Sequence, residues 1–267
     1  DIKYLKIPDN CSVWLEIRWH HLIANSMRPK IQLDYPIKQV DWKWEEDFQR
    51  IYPKLSGCIV YSAMAKKSFI QAGYVNCPME IVALKSRNLL ELSLKPTTRT
   101  KSEILYVGRE PLDKGLDLAV SVSLALKMNI NIVGSYSWET LKWLEKFSNV
   151  KLLGLVPHLE LRKLMTESRF LLCPTIESYG LTIVEALAVG LPVVTTPMAG
   201  VTELVKSNSN LYLSESLKVD DLVNKSRDCI NESKMISKLD TSIVSLITTE
   251  TNKSWESLAK KIVFSYR

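Results

Sequence analysis

Two glutamates, eight positions apart, lie in the stretch of the chain whose residue types best suit chemistry. Glu177 stands in a loop of proline, serine and glycine residues, and Glu185 stands on the helix that this loop is expected to open. A loop that enters a helix directs backbone N–H groups and the positive end of the helix at one point, which suits a phosphate. The carboxylates can accept hydrogen bonds from hydroxyl groups on either side of it. A phosphate flanked by hydroxyl groups describes a sugar nucleotide.

The apolar pattern around this loop predicts the elements that position it. Phe170–Cys173 is an uninterrupted apolar run, typical of a buried strand. Residues 181–189 predict a helix that ends at Gly190, and residues 192–196 predict the next strand. Glu177 is therefore expected between the end of a strand and the start of a helix.

Two cationic residues precede this segment and could serve the same ligand. Ile104–Val107 predicts a buried strand that ends at Gly108 and Arg109. Lys114 follows in a loop before the next predicted helix. Two cations beside a leaving diphosphate stabilise the negative charge that grows while a glycosidic bond breaks. An arginine and a lysine near a strand end are by themselves more typical of a solvated surface, so the order of the motifs makes this pair informative.

Residues 174–194 resemble the signature of the retaining glycosyltransferases of the GT-B fold, in the family called glycosyl transferases group 1. That signature is Pro, Ser or Thr, two residues, Glu, two residues, Gly-Leu, three residues, Glu-Ala and then Gly-x-Pro-Val-Val. The matching residues here are Pro174, Thr175, Glu177, Gly180, Leu181, Glu185, Ala186, Gly190, Leu191, Pro192, Val193 and Val194. One residue, Ile176, separates Thr175 from Glu177 here, where the signature has two. A pattern of this length with fixed spacing is highly specific. The alternative is an ordinary strand–helix unit whose glutamates are solvated.

Further motifs of the same family flank this signature in the expected order. The family's Val-Gly-Arg and Lys-Gly resemble residues 107–109 and 114–115, and its closing Ser-Trp-Glu resembles residues 254–256. Its Gly-Gly-x-x-Glu-x-Val resembles residues 199–205, where Ala199 replaces the first glycine. A glycine there would permit a close approach of the backbone, and the methyl group of Ala199 counts against such an approach.

The resemblance implies a role for each of the charged residues. Arg109 and Lys114 would hold the diphosphate of the donor. Glu177 would face the hydroxyls of the donor sugar, and Glu185 would accept hydrogen bonds from the ribose hydroxyls. The family places the nucleotide base near the strand and turn that end at Pro157. The donor-binding residues implied in this way are Gly108, Arg109, Lys114, Pro157, Glu177, Ser178, Tyr179, Gly180, Leu181 and Glu185. Glu177, Arg109 and Lys114 would be the catalytic residues.

Short apolar strands alternate with amphipathic helices between residues 102 and 205. This order predicts a doubly wound parallel sheet with ligands at the carboxyl ends of its strands, so the predicted fold class is α/β. The resemblance implies the GT-B type, with a Rossmann-like carboxy-terminal donor domain and an abridged amino-terminal α/β domain. The expected divisions are an acceptor-side domain at residues 1–97, a nucleotide-sugar-binding domain at 98–250, and a terminal helix at 251–267 that crosses back to the first domain.

The amino-terminal region, roughly a hundred residues, is too short for a full Rossmann-like domain, and no glycine-rich loop opens it. The acceptor domain is therefore abridged, or the chain is a fragment. His20 and His21 are each either the histidine that the family often places beside the donor sugar or a structural histidine. Three roles stay open for the tryptophans of this region. They fill a hydrophobic core, they form an aromatic surface that binds a sugar acceptor or a membrane, or they form a subunit contact. They are Trp14, Trp19, Trp42 and Trp44.

Within this region, residues 54–67 resemble the family's strand that ends in a serine and leads into a helix. Gly73 would end this helix, residues 80–84 would form the next strand, and residues 29–36 would form an earlier one. The family commonly continues with an Asn-Gly-Val-Asp turn, whereas this chain reads Lys-Ser-Arg-Asn at residues 85–88.

Composition and charge exclude several classes of protein. The 267 residues include 35 Lys or Arg and 29 Asp or Glu, and the net charge of +6 mildly favours anionic partners. No basic run with interleaved aromatic residues is present, so nucleic acid is not an expected partner. No apolar run reaches the ~18 residues of a membrane span. Five scattered cysteines without a CxxC spacing argue against disulfides or zinc and favour the cytoplasm. Peripheral contact with an anionic membrane stays open.

The motifs and the resemblance together predict a retaining glycosyltransferase whose substrate is a nucleoside-diphosphate sugar, UDP- or GDP-linked, and which needs no cofactor. The acceptor hydroxyl would belong to a glycan, a lipid or a protein, and a homo-oligomer stays open. No Asp-x-Asp pair is present to hold a divalent cation, so transfer is expected to be metal-independent. The alternative is a non-catalytic nucleotide-sugar-binding module or a partner subunit of a transferase. A sugar-nucleotide epimerase ranks lower, because no acid–base cluster is visible near the motif.

Overall fold

The computed structural model describes residues 14–16, 57–71, 73, 78–86, 97–109 and 114–265. Trp14 lies in the first described strand. The predictions for His20 and His21, for a strand at residues 29–36, and for Trp19, Trp42 and Trp44 fall outside the described residues.

A small parallel sheet lies in the amino-terminal part of the chain. Its strands, in the order β1-β2-β3, are β1 (Trp14–Glu16), β2 (Gly57–Val60) and β3 (Met79–Ile81), and helix α1 (Ala63–Gln71) connects the last two. Gly73 follows α1 with a φ of 92°, a left-handed conformation that glycine adopts readily after a helix. The predicted strand and helix are confirmed, while the strand predicted at residues 80–84 is shorter and ends at Ile81.

The carboxy-terminal part is built on a six-stranded parallel sheet. After a two-residue strand, β4 (Thr97–Thr98), its strands are β5 (Ile104–Val107), β6 (Ile130–Val133), β7 (Val150–Gly154), β8 (Phe170–Cys173), β9 (Val193–Thr195) and β10 (Leu211–Leu213). They lie in the order β10-β9-β8-β5-β6-β7, and all neighbours are parallel. This is the strand order of a doubly wound dinucleotide-binding fold. The predicted α/β class with a Rossmann-like sheet is therefore confirmed.

Helices connect these strands and cover both faces of the sheet. They are α2 (Leu116–Leu126), α3 (Trp138–Leu144), α4 (His158–Glu167), α5 (Leu181–Ala188), α6 (Thr202–Val205), α7 (Val219–Glu232) and α8 (Thr241–Ser265). The helix predicted at residues 181–189 and the strand predicted at 192–196 are confirmed, with ends that differ by one residue. A last short strand, β11 (Ile236–Ser237), pairs antiparallel with β4.

The alternation of side chains along β5 explains why helices cover both faces. Ile104 and Tyr106 pack in one buried cluster, together with residues of α2, α3 and α7. Leu105 packs in a second buried cluster, together with residues of α4, α5 and α8. Successive residues of a strand point to opposite faces, so a strand buried on both faces is a continuous apolar run. The loops of the candidate site therefore follow strands that are packed tightly on both faces.

Helix α8 runs for 25 residues and reaches the amino-terminal part. The carboxylate of Asp240 caps its start by accepting from the N–H groups of Ser242 and Ile243 at 3.0 and 3.2 Å. Farther along, Oγ of Ser254 accepts from the N–H of Ala83 at 3.1 Å. The predicted boundary at residue 251 falls inside this helix, and the division into three domains stays a prediction. Within the described residues, no helix is both long and apolar enough to cross a membrane.

Candidate active site

The candidate site lies between the carboxyl ends of β5 and β8. These strands are neighbours, and the chain leaves them toward opposite ends of the sheet. In open α/β sheets, ligands bind in the crevice at such a reversal of strand order. Gly108 and Arg109 follow β5, and Glu177 stands in the loop after β8. The motifs that the sequence singles out therefore meet at one edge of the sheet.

The main chain of Glu177 is held by the loop that follows β9. The N–H of Glu177 donates to the carbonyl of Met198 at 3.0 Å, and its carbonyl accepts from the N–H of Gly200 at 3.0 Å. Glu177 and Ala199 thereby form an isolated parallel bridge. These hydrogen bonds fix the backbone from which the carboxylate extends, although this loop belongs to no strand.

Lys114 forms an ion pair with Glu177. Nζ of Lys114 donates to Oε1 of Glu177, and the two side chains are 15% and 17% exposed. The carbonyl of Lys114 accepts from the hydroxyl of Tyr106 at 3.0 Å, which ties this loop to β5. Partial burial strengthens the attraction between the two charges because water screens it less. Lys114, which is predicted to bind the diphosphate, is therefore in direct contact with Glu177, the first of the two predicted glutamates.

Gly115 allows Lys114 to approach so closely. It lies before α2 with a φ of 67° and a ψ of 35°, in the left-handed region. A Cβ at this position would also collide with the carbonyl of Pro174, the first residue of the loop after β8. Glycine alone meets both conditions without strain. The Lys-Gly pair thus starts α2 directly against the loop that carries Glu177.

The residues after Glu177 lead into α5. Gly180 precedes the helix with a φ of 110°, and a Cβ on it would lie 3.4 Å from Oε2 of Glu177. The carboxylate is therefore beside the start of a helix, where the first N–H groups lack helical partners. Leu181, the first helical residue, is 38% exposed, whereas Ser178 is buried. An anionic ligand at this point would meet the positive end of α5.

Tyr179 lies against the amino-terminal part of the chain. Its side chain is buried in the same cluster as Val82 and Ala83. Burial raises the pKa of its hydroxyl to about 12, and the nearby N–H of Leu84 acts in the opposite direction. Even so, none of the described residues completes a hydrogen bond of ordinary geometry with this hydroxyl. The structure thus places this predicted donor-binding side chain beside a segment that sequence reasoning did not connect to the site.

Glu185 contacts a residue that sequence reasoning missed. The hydroxyl of Ser86, a buried residue after β3, donates to Oε1 of Glu185 at 2.5 Å. The two residues are 99 positions apart, and no local pattern links them. The departure of residues 85–88 from the family's Asn-Gly-Val-Asp turn is the one signal that the sequence offers. The second predicted glutamate therefore also touches the amino-terminal part.

The remaining predicted residues lie at two places along the sheet edge. Gly108 donates its N–H to the carbonyl of Val133 at 3.0 Å and accepts from the hydroxyl of Tyr136 at 2.7 Å. Arg109 follows it with an exposed side chain. Pro157 precedes α4, after β7, which lies two strands from β5 and so roughly 10 Å away at the usual spacing. The structure gathers the residues after β5 and β8 and leaves Pro157 toward the outer end.

In the Gly-Gly-like motif at residues 199–205, Gly200 is the residue whose backbone lies very close to neighbouring segments. A Cβ there would collide with the carbonyl of Ser178 and with the side chain of Ser62. Ala199 is fully buried, and its methyl group is accommodated. The alanine therefore does not prevent the approach of the backbone, contrary to the sequence expectation, because the second glycine of the motif provides it.

A cysteine behind the site is chemically inert. Cys173, the last residue of β8, is buried, and burial raises the pKa of its thiol to about 11 although the charge of Lys114 acts to lower it. The thiolate is the nucleophilic form, so this thiol is not a candidate nucleophile. Across the described ranges, no group of three or more His, Cys, Asp or Glu side chains could hold a metal ion.

The fold and the site define an α/β protein of the GT-B type with a candidate ligand site at the reversal of its strand order. The sequence pattern of the family described as glycosyl transferases group 1 matches residues 94–242, more than half of the chain. The chain therefore belongs to the glycosyl transferases group 1 family.

Two curated relatives share this similarity over part of their length. An uncharacterized 41.2 kDa protein in the cps region of Klebsiella pneumoniae is 29% identical over 180 residues, which cover 61% of this chain and 50% of the relative. The amylovoran biosynthesis glycosyltransferase AmsK of Erwinia amylovora is 26% identical over 191 residues, 64% of this chain and 46% of AmsK. The chain thus spans about half the length of these relatives.

A solved structure of S. aureus TarM resembles the whole fold. A mutant of that protein, in complex with fondaparinux, α-GlcNAc-glycerol and UDP, matches with a TM-score of 0.63 and 18% identity, over 96% of this chain and 51% of TarM. At this identity the likeness shows the fold alone. It confirms the fold class predicted from the sequence.

Proposed function

We propose that the chain acts as a retaining glycosyltransferase, which moves a sugar from a nucleoside-diphosphate sugar to an acceptor hydroxyl. The contact between Lys114 and Glu177 carries this proposal. It joins a cation suited to a diphosphate with a carboxylate suited to sugar hydroxyls, from two motifs 63 positions apart. The contact lies beside a helix start at the ligand-binding edge of the sheet, as a phosphorylated donor requires.

Donor binding exchanges the partners of this ion pair. A diphosphate carries more negative charge than one carboxylate, so Lys114 turns from Glu177 to the phosphate oxygens, where Arg109 joins it. Glu177 then accepts hydrogen bonds from the hydroxyls of the donor sugar, and Glu185 accepts from those of the ribose. The two cations stabilise the charge that develops on the diphosphate as the glycosidic bond breaks.

Retention of configuration needs no protein nucleophile in this scheme. The bond from the acceptor oxygen to the sugar carbon forms on the same face as the bond to the diphosphate breaks. The proton of the attacking hydroxyl passes to the departing diphosphate. Lys114 holds the diphosphate and Glu177 holds the sugar in the relative orientation that this step needs. Burial keeps the nearby thiol of Cys173 protonated and out of the reaction.

The donor in this proposal is a UDP- or GDP-linked sugar, and the UDP complex of TarM supports the first. The acceptor hydroxyl belongs to a glycan, a lipid or a protein, and the part of AmsK in amylovoran biosynthesis favours a growing polysaccharide. We further propose metal-independent transfer in the cytoplasm. The net charge of +6 suits peripheral contact with an anionic membrane surface.

Release of nucleoside diphosphate from a panel of UDP-, GDP- and ADP-sugars tests the proposal. We expect release from one donor that is unchanged by EDTA and lost in Glu177→Ala and in Lys114→Ala. Lys142→Ala is a matched control, because Lys142 pairs with Glu145 at 2.8 Å on an exposed face of α3. Absence of binding to every donor in the panel would exclude the proposal.

A nucleotide-sugar-binding module without turnover, or a partner subunit of a transferase, is the second candidate. The observation in its favour is that the chain spans about half the length of its relatives. Tight donor binding without release, even with mixed glycan and lipid acceptors present, would select this candidate. The pairing of Lys114 with Glu177 favours the transferase, because a binding module has no bond-breaking step for these charges to stabilise.

A further inference from the structure

Helix α1 begins on the carboxylate of a residue far along the chain. The N–H of Ala63 donates to Oε2 of Glu203 at 3.0 Å, and the N–H of Met64 donates to Oε1 at 2.9 Å. The N–H of Ala65 donates to Oγ of Ser62 at 3.1 Å. The first N–H groups of a helix have no partner within it and attract negative charge. Glu203, 140 and 139 positions away, satisfies two of these three.

The segment that carries Glu203 also supports the candidate active site. Gly200, three residues earlier, donates its N–H to the carbonyl of Glu177 at 3.0 Å. On its other side, Gly200 packs so closely on Ser62 that a Cβ would collide with it. Residues 199–203 therefore contact the start of α1 and the main chain of Glu177 at the same time.

Two further hydrogen bonds join the amino-terminal and carboxy-terminal parts. Ser86 donates to Glu185 at 2.5 Å, and the N–H of Ala83 donates to Ser254 at 3.1 Å. The amino-terminal part is thus attached near both glutamates of the candidate site. The contact of Glu203 is the double one, because its carboxylate accepts from two backbone N–H groups at the start of α1 and requires no particular side chain there.

We propose that Glu203 is a positioning residue for the transfer reaction. By capping α1, it holds the amino-terminal part, and with it the acceptor, in a fixed relation to the donor around Glu177. The inference rests on the proposed function and adds to it a residue that touches neither substrate. This role explains why Glu203, an exposed glutamate on the four-residue helix α6, accepts hydrogen bonds from a segment far away in the sequence.

Loss of the cap is expected to lower turnover without changing the affinity for the donor nucleotide. The residues proposed to hold the donor all lie in the carboxy-terminal part, so the affinity of Glu203→Ala for UDP stays close to that of the wild type. Turnover falls by about 100-fold, the size expected when reacting groups are misplaced by about 1 Å. Glu203→Gln keeps one carbonyl oxygen, which accepts from one N–H group of α1, so its turnover is intermediate.

The test compares UDP binding, release of nucleoside diphosphate from the donor that the wild type uses, with mixed glycan and lipid acceptors present, and hydrogen exchange of the α1 amides. All are measured on the full 267-residue chain. In Glu203→Ala the amides of Ala63 and Met64 exchange faster than in the wild type, and in Glu203→Gln they are intermediate. Glu160→Ala serves as the matched control, because Glu160 is also an exposed glutamate in the first turn of a helix. It changes none of the three measurements.

Wild-type turnover in Glu203→Ala would overturn the proposal. A parallel loss of UDP affinity and turnover would overturn it too, because that result marks a general defect of the donor site. Unchanged hydrogen exchange at the amides of Ala63 and Met64 in Glu203→Ala would show that Glu203 does not cap α1. If the wild type releases nucleoside diphosphate from no donor, the proposed function fails, and the exchange measurement alone decides whether Glu203 holds α1. Glu203→Gln, which has nearly the same shape as the native residue, keeps the test available if Glu203→Ala does not fold.

Discussion

Lys114 and Glu177 neutralise each other in the candidate active site. They stand 63 positions apart, and they meet because the loops after β5 and β8 leave the same edge of the sheet. Both side chains are largely withdrawn from water. Removal of either one deprives the other, which is only partly hydrated, of this counter-charge. The pair therefore affects the stability of the protein as well as its proposed chemistry.

A double-mutant cycle should reveal this coupling. We expect Lys114→Ala and Glu177→Ala each to lower the free energy of unfolding by about 1–3 kcal/mol, because each strands a partly buried charge. The double variant strands neither, so it should lose less than the sum, with a coupling energy of about 0.5–3 kcal/mol in urea denaturation. Lys142→Ala, on its exposed pair, should change stability by less than about 0.5 kcal/mol. Strict additivity would contradict the coupling.

Gly115→Ala should destabilise the protein far more than Gly154→Ala. The two glycines have nearly the same φ, 67° and 66°, so each replacement incurs about 1–2 kcal/mol of left-handed strain. A Cβ on Gly115 would also collide with the carbonyl of Pro174, whereas nothing lies within 4 Å of a Cβ on Gly154. Urea denaturation of the two variants therefore isolates the collision. Equal losses would mean that the Lys-Gly loop does not need its close contact.

Tyr179→Phe should leave the protein at least as stable at neutral pH. Its buried hydroxyl completes no hydrogen bond of ordinary geometry with the described residues, and removing such a group can relieve a cost of about 1–3 kcal/mol. Tyr136→Phe provides a control of opposite sign. The hydroxyl of Tyr136 donates to the carbonyl of Gly108 at 2.7 Å, and its loss should cost about 1 kcal/mol. Thermal and urea unfolding of both variants would show whether the signs differ.

The same variant should alter the alkaline dependence of stability. The pKa of Tyr179 is about 12 in the folded protein, above its ordinary value of 10, because burial disfavours the ionised form. The unfolded chain therefore releases this proton first. The contribution of the group is complete below pH 10 and is lost as the pH rises from 10 toward 12. Unfolding measured in alkaline buffers should show a shallower loss in Tyr179→Phe, and an identical slope would contradict the assignment.

Gly200→Ala and Ala199→Gly should separate the two positions of the Gly-Gly-like motif. A Cβ on Gly200 would press on Ser178 and Ser62, so we expect lower release of nucleoside diphosphate from this variant. Ala199→Gly removes one buried methyl group and should cost about 1 kcal/mol of stability with turnover unchanged. Full activity in Gly200→Ala would show that the boundary between the two parts can relax around a methyl group.

The parts of the site that could be predicted from the sequence are those set by local chemistry. The loop from Pro174 to Gly180 and the Lys-Gly pair before α2 contain residue types that restrict the nearby backbone, and both lie at the predicted edge of the sheet. The central strands could be predicted because burial on two faces leaves a continuous apolar run. Their parallel arrangement in a doubly wound sheet followed from the alternation of strands and helices.

Contacts between distant segments could not be predicted in the same way. Glu203 binds the backbone N–H groups of Ala63 and Met64, which nearly every residue type possesses, so these partners leave no mark on the sequence. Ser86 reaches Glu185 from a segment whose sequence departs from the family pattern. Tyr179 is buried in the same cluster as Val82 and Ala83, which lie just before that segment, and its position in the motif did not reveal these neighbours.

During synthesis of the chain, β5 is made well before its neighbour β8. Until residues 170–173 leave the ribosome, one edge of β5 can pair with β6 while the other presents unpaired N–H and C=O groups. Ile104–Val107 is apolar throughout, and an exposed apolar edge favours aggregation of a partly folded chain. The nascent protein is therefore exposed to aggregation between the emergence of these two strands. The main-chain hydrogen bond of Glu177 to Gly200 forms only after Gly200 has emerged.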